Sequence, residues 1–210
     1  MALGHWQAGR ADEKRALGAR LEQALRSPPV ELGSAPVVAD ALVWKRVAAS
    51  GIWDQKNTVY LDNKLRRGRP GFEVVTPLRL DGLHVLVNRG WVAAGRSREL
   101  LPPVATPGGE VRVDGLALPR FAQVLAAGGG AGGKVRQNIE LEAFERETGL
   151  KLQPIVIEQH SWSPDGLLRE WPRPDTGIEK HQSYALQWYS LAVLAVVMFF
   201  VLSFRRVGSR

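Results

Sequence analysis

The residues with the clearest potential for chemistry are His181, Tyr184 and Trp188, which lie near the C-terminus at i, i+3 and i+7. On an α-helix of about 3.6 residues per turn, these three side chains share one face. A neutral imidazole with aromatic neighbours can hold a haem iron axially, with the flat macrocycle against apolar surface. The alternative is an interfacial histidine beside the aromatic residues that flank a membrane span. The spacing alone favours this second interpretation.

The segment that follows this stripe can cross a membrane. Residues 185–204 contain no charge and no proline, and about 20 apolar residues span a hydrocarbon core. We therefore predict a C-terminal transmembrane helix over 181–204. The flanks carry equal numbers of basic residues, but those of the tail 205–210 are dense and have no acidic residue among them. This density favours a cytoplasmic tail and a main domain on the outer side.

The N-terminus raises a question about that topology. A domain on the outer side needs a signal or a first membrane helix, and residues 1–10 read as neither. Either a first helix lies upstream of Met1, which we favour, or the tail points outward.

A second candidate for chemistry is Arg89, in the sequence Asn88-Arg89-Gly90-Trp91. This sequence is typical of a turn, with Asn or Gly in the left-handed region and Trp91 returning to the core. Alternatively, Arg89 could pair with a carboxylate or with a haem propionate. The residues by themselves favour the turn.

Composition excludes several classes of protein. The chain has no cysteine, which excludes disulfides, thiolate nucleophiles, zinc ribbons and soft copper sites. The net charge of +7 is scattered, and the densest basic run, 64–69, reads as a solvated loop facing anionic lipid or a partner. We therefore expect no nucleic-acid partner.

Motifs of enzymes are also missing from the sequence. No two histidines are spaced as in a zinc protease, and no G-x-S-x-G elbow occurs. The glycine run in 128–134 formally matches nucleotide-binding patterns, but Val135 stands where such a loop needs a hydroxyl. We read the run as a mobile linker and expect that the protein is not an enzyme.

The remaining pattern predicts an α+β domain. Leu17, Leu21 and Leu25 indicate an N-terminal helix over 9–26 that ends before Pro28. A short helix over 140–148, capped by Asn138 and ended by Gly149, precedes the last strand. Asp81-Gly82 predicts a hairpin. The predicted strands are 42–48, 58–61, 72–80, 83–87, 111–118 and 152–158.

These elements define four parts of the chain. They are an N-terminal helix within 1–29, a β-rich extramembrane domain over 30–180, the membrane helix 181–204 and the basic tail 205–210. We expect the domain to be mostly antiparallel β and of a kind that can close into a barrel.

Four ordered blocks of sequence resemble the Surfeit locus protein one family of cytochrome oxidase assembly factors. In that family the opening block lies at the outer end of the first membrane helix, and the closing block lies at the second membrane helix. The matching residues are Leu3-Gly4-His5-Trp6-Gln7 with Arg10 and Lys14, the run 71–77 (GFEVVTP), the run 85–91 (VLVNRGW), and His181, Ser183, Tyr184, Ala185 and Trp188.

The resemblance implies a helix, an outer-side domain and a second helix in the respiratory membrane. It also implies help in supplying haem A to, or inserting it into, cytochrome c oxidase subunit I, without catalysis and with haem A synthase as a further possible partner. His181 then becomes the axial ligand of the haem iron, and Trp188, Tyr184 and Arg89 become contacts that orient the haem. The absent first helix means either that the chain start is set too late or that this protein is anchored once.

Two other functions stay open. The protein could be a cofactor-free structural adaptor that stabilises an oxidase assembly intermediate, or a membrane-bound enzyme acting on haem. The abundance of Ala, Gly and Arg suggests a GC-rich bacterial genome. We therefore expect a bacterial inner membrane protein with its main domain on the periplasmic side.

Overall fold

A computed structural model describes residues 16, 18–95, 100–123, 133–171, 187–191, 194 and 198. The chain divides into two compact units, one formed by Gln23–Trp171 and the other by Met1–Glu22 with Pro172–Arg210. The unit Gln23–Trp171, called the barrel domain below, contains all eight strands of the described sheet.

The strands are short to medium in length, and few helices accompany them in the described part of the chain. The strands are β1 (Val30–Leu32), β2 (Arg46–Trp53), β3 (Val59–Arg66), β4 (Arg69–Arg79), β5 (His84–Ala93), β6 (Glu110–Leu118), β7 (Val135–Arg136) and β8 (Leu152–Gln159). The described helices are α1 (18–26), α2 (Ala39–Leu42), α3 (Leu141–Thr148) and α4 (187–191), with a 3₁₀ turn at Gln55–Asn57.

Five of the strands close into a barrel. Antiparallel pairs join β2 to β6, β6 to β8 and β5 to β4, while β5 and β8 run parallel. Two residue pairs between β2 and β4, Ile52 with Arg79 and Trp53 with Leu78, complete the ring. When only the five ring strands β2, β4, β5, β6 and β8 are counted, in chain order from 1 to 5, they follow one another around the ring as 1-2-3-5-4. This is the order of the OB class of small five-stranded barrels. The predicted mostly β, barrel-like domain is confirmed.

Three strand pairs depart from the antiparallel pattern that we expected. Besides β5 with β8, the short strands β1 and β7 lie parallel to β2 and β3 respectively. Parallel pairing needs a long connection between the strands, so turn residues close to a strand could not reveal it.

Gly51 lies where the ring closes. A Cβ at this position would be 2.2 Å from the backbone oxygen of Arg79, so only glycine allows β2 and β4 to approach. The sequence predicts a strand over 42–48, which ends before this glycine. The strand instead begins at Arg46 and continues through Gly51, because close backbone approach and not a turn requires this glycine.

The barrel interior is filled by alternate residues of the ring strands. Side chains two residues apart on a strand face the same side of a sheet, and this period places Val85 with Val87 and Ile155 with Ile157 in the interior. The other buried apolar residues of this core on the ring strands are Val47, Ala49, Trp53, Leu78, Val113 and Ala117.

Helix α3 covers part of the outer surface of the barrel. Its Phe144 is fully buried against outward-facing residues such as Leu86 and Val156. Gly149 ends the helix with a left-handed φ of 72°, as predicted. The predicted cap at Asn138 is wrong, because the helix begins one residue later than expected and Glu140 is its N-cap, without a side-chain cap bond.

Other sequence predictions agree with the structure to within a few residues. Helix α1 ends at residue 26, before Pro28. Strands β3, β4, β6 and β8 contain most of the residues predicted for them. The Asp81-Gly82 turn joins β4 to β5 and closes with a bond from the Leu80 N–H to the Leu83 oxygen at 2.8 Å.

Candidate functional site

Only one residue of the predicted haem-facing stripe lies in the described part of the chain. Trp188 is in α4, and 43% of its surface is exposed. His181 and Tyr184 lie outside the described residues. The predicted haem contact of these three residues therefore stays a prediction.

The predicted transmembrane helix also falls largely outside the described residues. Of 185–204, the structure describes 187–191, 194 and 198, all helical. Among the described residues, no helix is both long and apolar enough to span a bilayer. Within the same residues, no group of three or more His, Asp or Glu side chains could hold a metal ion.

Arg89 lies in a strand and occupies a bulge. In the antiparallel pair of β4 and β5, Val74 is opposite Gly90 and Val75 is opposite Asn88. Arg89 is therefore the extra residue, and such a bulge redirects the side chain it carries. The turn predicted at these residues is wrong, because β5 continues through them.

Two glycines allow the neighbourhood of the bulge to pack closely. Gly90 has a φ of 140°, and a Cβ there would lie 2.9 Å from both the Leu167 Cβ and the Leu168 oxygen. A Cβ at Gly71 would lie 2.4 Å from the indole of Trp91. At both positions any side chain would displace the segment or ring that packs there.

The guanidinium of Arg89 is held by four partners, and the residue is fully buried. Its Nη2 donates to the Asp165 Oδ2 at 3.1 Å and to the Ala105 oxygen at 2.7 Å, and its Nη1 donates to the Thr106 Oγ1 at 2.9 Å. The guanidinium also lies 4.8 Å from the ring centroid of Trp53. Arg89 thus pairs with a carboxylate that belongs to the protein itself.

Asp165 is shared between two arginines. Its Oδ2 also accepts a hydrogen bond from the Arg169 Nη2 at 2.6 Å, and its Oδ1 accepts one from the Leu167 N–H at 3.2 Å. We call Arg89, Asp165 and Arg169 the Asp165 cluster. Burial lowers the pKa of Arg89, and the Asp165 carboxylate offsets part of this effect.

The Asp165 cluster has one more positive than negative charge. The Nε atoms of Arg89 and Arg169 are also buried, and neither has a hydrogen-bond partner in the part of the chain that the structure describes. Since buried charges are usually paired and buried donors are usually bonded, this cluster is not arranged for maximal stability.

A second charged cluster lies beside the first, on β3, β4 and β5. Glu73 accepts from the Arg66 Nη2 at 2.5 Å and from the Asn88 Nδ2 at 3.0 Å, and the Lys64 Nζ is 3.5 Å away. The basic run 64–69 was expected to be solvated. That expectation is wrong for Lys64 and Arg66, which are largely buried and paired with Glu73.

Residues 161–171, called the connector below, are bonded to the barrel. Trp91 and Leu168 exchange two backbone hydrogen bonds of 2.8 Å. Further along, Glu170 pairs with Arg67, and the Trp171 Nε1 donates to the backbone oxygen of Gln159 at 2.8 Å. The connector therefore has a fixed course as far as its last residue.

An open cavity of about 370 Å³ lies on the barrel domain at the start of the connector. It is lined by Leu25, Arg46, Asp114, His160 and Ser161. Two hydrogen bonds of 2.8 Å join Arg46 and Asp114, so these two charges neutralise each other. The cavity offers no unbalanced charge that would select a ligand, and we assign none to it.

Asp165 is the residue that the sequence did not reveal. It reads there as one of several charges ahead of the apolar run 185–204. Its partner Arg89 lies 76 positions earlier in the chain. The one available signal was that an arginine among apolar strand residues needs a carboxylate, and the sequence did not say which.

The fold and these clusters define a small β-barrel domain whose final segment is tied to its central strands. The SURF1 family model matches residues 1–193, and the chain therefore belongs to the SURF1 family. This confirms the resemblance that the four sequence blocks carry.

Individual relatives agree with this assignment. A SURF1-like protein of Monosiga brevicollis is 26% identical over 99% of this chain and 84% of its own length. A SURF1-like protein of Rickettsia conorii is 23% identical over 96% of this chain and 85% of its own length. The Surfeit locus protein 1 of Takifugu rubripes is 24% identical over 98% of this chain and 92% of its own length.

Proposed function

We propose that this protein is a membrane-anchored assembly factor for cytochrome c oxidase, and that it assists the supply of haem A to subunit I or its insertion there. Membership in the SURF1 family supports the general role. The observation that carries the haem proposal is the spacing of His181, Tyr184 and Trp188 at the start of the apolar run 185–204. This role requires no catalytic step by the protein.

The donor set of this stripe suits haem A as a transient cargo. The imidazole of His181 would hold the iron axially, and the aromatic rings of Tyr184 and Trp188 would lie against the porphyrin. The partly exposed ring of Trp188 is available for such a contact. Arg89 fits less well as a propionate partner, because it is fully buried and its Nη atoms are already bonded.

The proposed location is the bacterial inner membrane, with the barrel domain in the periplasm and the tail 205–210 in the cytoplasm. The apolar run 185–204 would be the anchor. Direct partners in this proposal are oxidase subunit I, the lipid bilayer and, at the point of haem supply, haem A synthase.

A structural adaptor without a cofactor is the second candidate. One observation favours it: the sequence block that contains Arg89 is used for internal packing and pairing, and the Arg89 guanidinium is not exposed to a ligand. In this case the barrel domain would stabilise an oxidase intermediate through protein contacts alone.

The experiment that separates the two candidates is a histidine substitution in the full-length protein made together with haem A synthesis. The purified unaltered protein is expected to carry a haem A absorption band, and His181→Ala is expected to lose it. His160→Ala is the matched control, since His160 lies on the barrel domain, where its Nε2 is 3.1 Å from the Glu158 Oε1. It should retain the band.

Equal haem in the unaltered protein and in His181→Ala would remove His181 as the ligand. Absence of haem from both, combined with normal oxidase assembly by His181→Ala at an unchanged protein level, would establish the adaptor instead.

A further inference from the structure

We infer that Arg89 is a positioning residue: together with Asp165 it clamps the connector to the barrel and so fixes the point from which the chain runs on to His181. The inference rests on the proposed function where it concerns haem, but the clamp itself is defined by the barrel domain alone.

The contacts of Arg89 join three parts of the chain that are distant in sequence. They reach from strand β5 to the loop at Ala105 and Thr106 and to Asp165 in the connector. A side chain that binds a ligand directly would leave part of its guanidinium accessible, whereas Arg89 has none exposed. The bulge at Arg89 turns this side chain toward the connector.

The residues beside Arg89 serve the same purpose. Gly90 leaves room for Leu167 and Leu168, which a Cβ would contact at 2.9 Å. Trp91 exchanges its backbone bonds with Leu168, and its indole Nε1 donates to the Lys64 oxygen at 2.8 Å. Three successive residues of β5 thus hold or accommodate the connector.

Stability alone does not account for this arrangement. A buried ion pair is often no better for stability than apolar residues of the same volume, and this cluster keeps an excess positive charge and two unbonded Nε atoms. Directional hydrogen bonds do, however, specify one orientation of the groups they join. Apolar residues would stabilise the fold equally well at this position. A role in orienting the connector therefore explains why the cluster is charged.

The clamp lies close in sequence to the proposed haem ligand. Ten residues lead from Trp171, the end of the connector, to His181, and they can extend over at most about 35 Å. A fixed connector therefore restricts where His181 can lie. If the connector were released, the length of residues 161–171 would be added to the distance over which His181 can move.

The test uses the absence of cysteine from the chain. Glu142→Cys on α3 and Pro164→Cys on the connector, both at exposed positions, would carry spin labels on the full-length protein in lipid nanodiscs. The distance distribution between the labels is expected to be narrow. Arg89→Met should broaden it while leaving the neutral pair of Asp165 and Arg169 intact.

A second variant keeps the clamp testable if Arg89→Met does not fold. Leu168→Pro removes one of the two backbone bonds to Trp91 without altering any charge, and it should also broaden the distribution. Glu31→Gln is the control, because it breaks an exposed pair with Arg112 and should leave the distribution narrow. The haem A band, measured at equal protein level, should be lost in Arg89→Met and in Leu168→Pro and kept in Glu31→Gln.

Narrow distributions in both variants would overturn the clamp. Broad distributions with an unchanged haem band would overturn the positioning role while the proposed function stands. An unaltered protein without haem would refute the haem proposal, and the distances alone would still decide whether Arg89 holds the connector.

Discussion

Two arginine–carboxylate pairs of the barrel domain have the same chemistry and opposite surroundings. Arg89 and Asp165 have side chains that are 0% exposed, whereas those of Arg112 and Glu31 are 55% and 59% exposed. Water screens the exposed pair and can replace either partner. For the buried pair, the protein itself must supply every hydrogen bond. The same contact is therefore optional at the surface and obligatory in the interior.

A third pair lies between these extremes. The side chains of Arg46 and Asp114 are 32% and 21% exposed and make two hydrogen bonds of 2.8 Å. If burial determines how much each pair matters, the effects of removing the three carboxylates should fall in the order Asp165, Asp114, Glu31.

The largest effect is expected from Asp165→Asn. This change leaves the Arg89 and Arg169 cations buried together without a carboxylate, and breaking a buried ion pair costs about 3–5 kcal/mol. The free energy of unfolding, measured by urea denaturation of the full-length protein in detergent, should fall by that amount. A loss no larger than that of Glu31→Gln would mean that burial does not control the importance of these pairs.

Asp114→Asn should have a smaller effect, about 1 kcal/mol or less. Water can reach the freed Arg46, but its bonds to the backbone oxygens of Leu25 and Ser27, both 3.4 Å, lose their support from Asp114. We expect faster hydrogen exchange at the end of α1, at residues 23–26. Unchanged exchange there would show that Asp114 does not help to hold the helix end.

His84 extends the comparison to a partly buried titratable side chain, whose buried Nδ1 has no hydrogen-bond partner among the described residues. Burial lowers the pKa of His84, although the Asp54 charge opposes this. The unfolded chain therefore binds a proton before the folded one does, and stability falls as the pH drops below about 6.5. Thermal midpoints between about pH 7 and pH 5 should decline less steeply in His84→Gln than in the unaltered protein; equal slopes would contradict the assignment.

The smallest effect is expected from Glu31→Gln. Its pair with Arg112 is solvated, and salt screens such pairs further. The thermal midpoint should not change measurably, at either low or high salt. A clear decrease would mean that the surface pair holds the edge strand β1 more firmly than its exposure indicates.

The sequence predicted the strands well where short apolar runs are rich in β-branched residues. The runs 83–87 and 111–118 reflect burial that each strand experiences locally, so they can be read without knowing the partners. The blocks 71–77 and 85–91 likewise pointed to the family from contiguous residues.

Contacts between distant residues could not be read in this way. The ring closes at Gly51, and the need for glycine there is clear only once the backbone of Arg79 is known to lie against it. The burial of Arg89 is likewise clear only once Asp165 is known to be its partner. In both cases the residue type was ambiguous, since glycine and Asn-Arg-Gly are also typical of turns. Only the pairing of β4 with β5 and with β2 removes that ambiguity.

The placement of Arg169 four residues after Asp165, within the same segment, has a consequence for how the connector could leave the barrel. A departing connector would take its own counter-charge along, because the bond between Asp165 and Arg169 lies entirely within it. Arg89 would stay behind without its carboxylate partner and would keep its bonds to Ala105 and Thr106. Detachment would thus leave the unpaired charge on the barrel and not on the connector. Return of the connector restores that pair, and this favours the attached state.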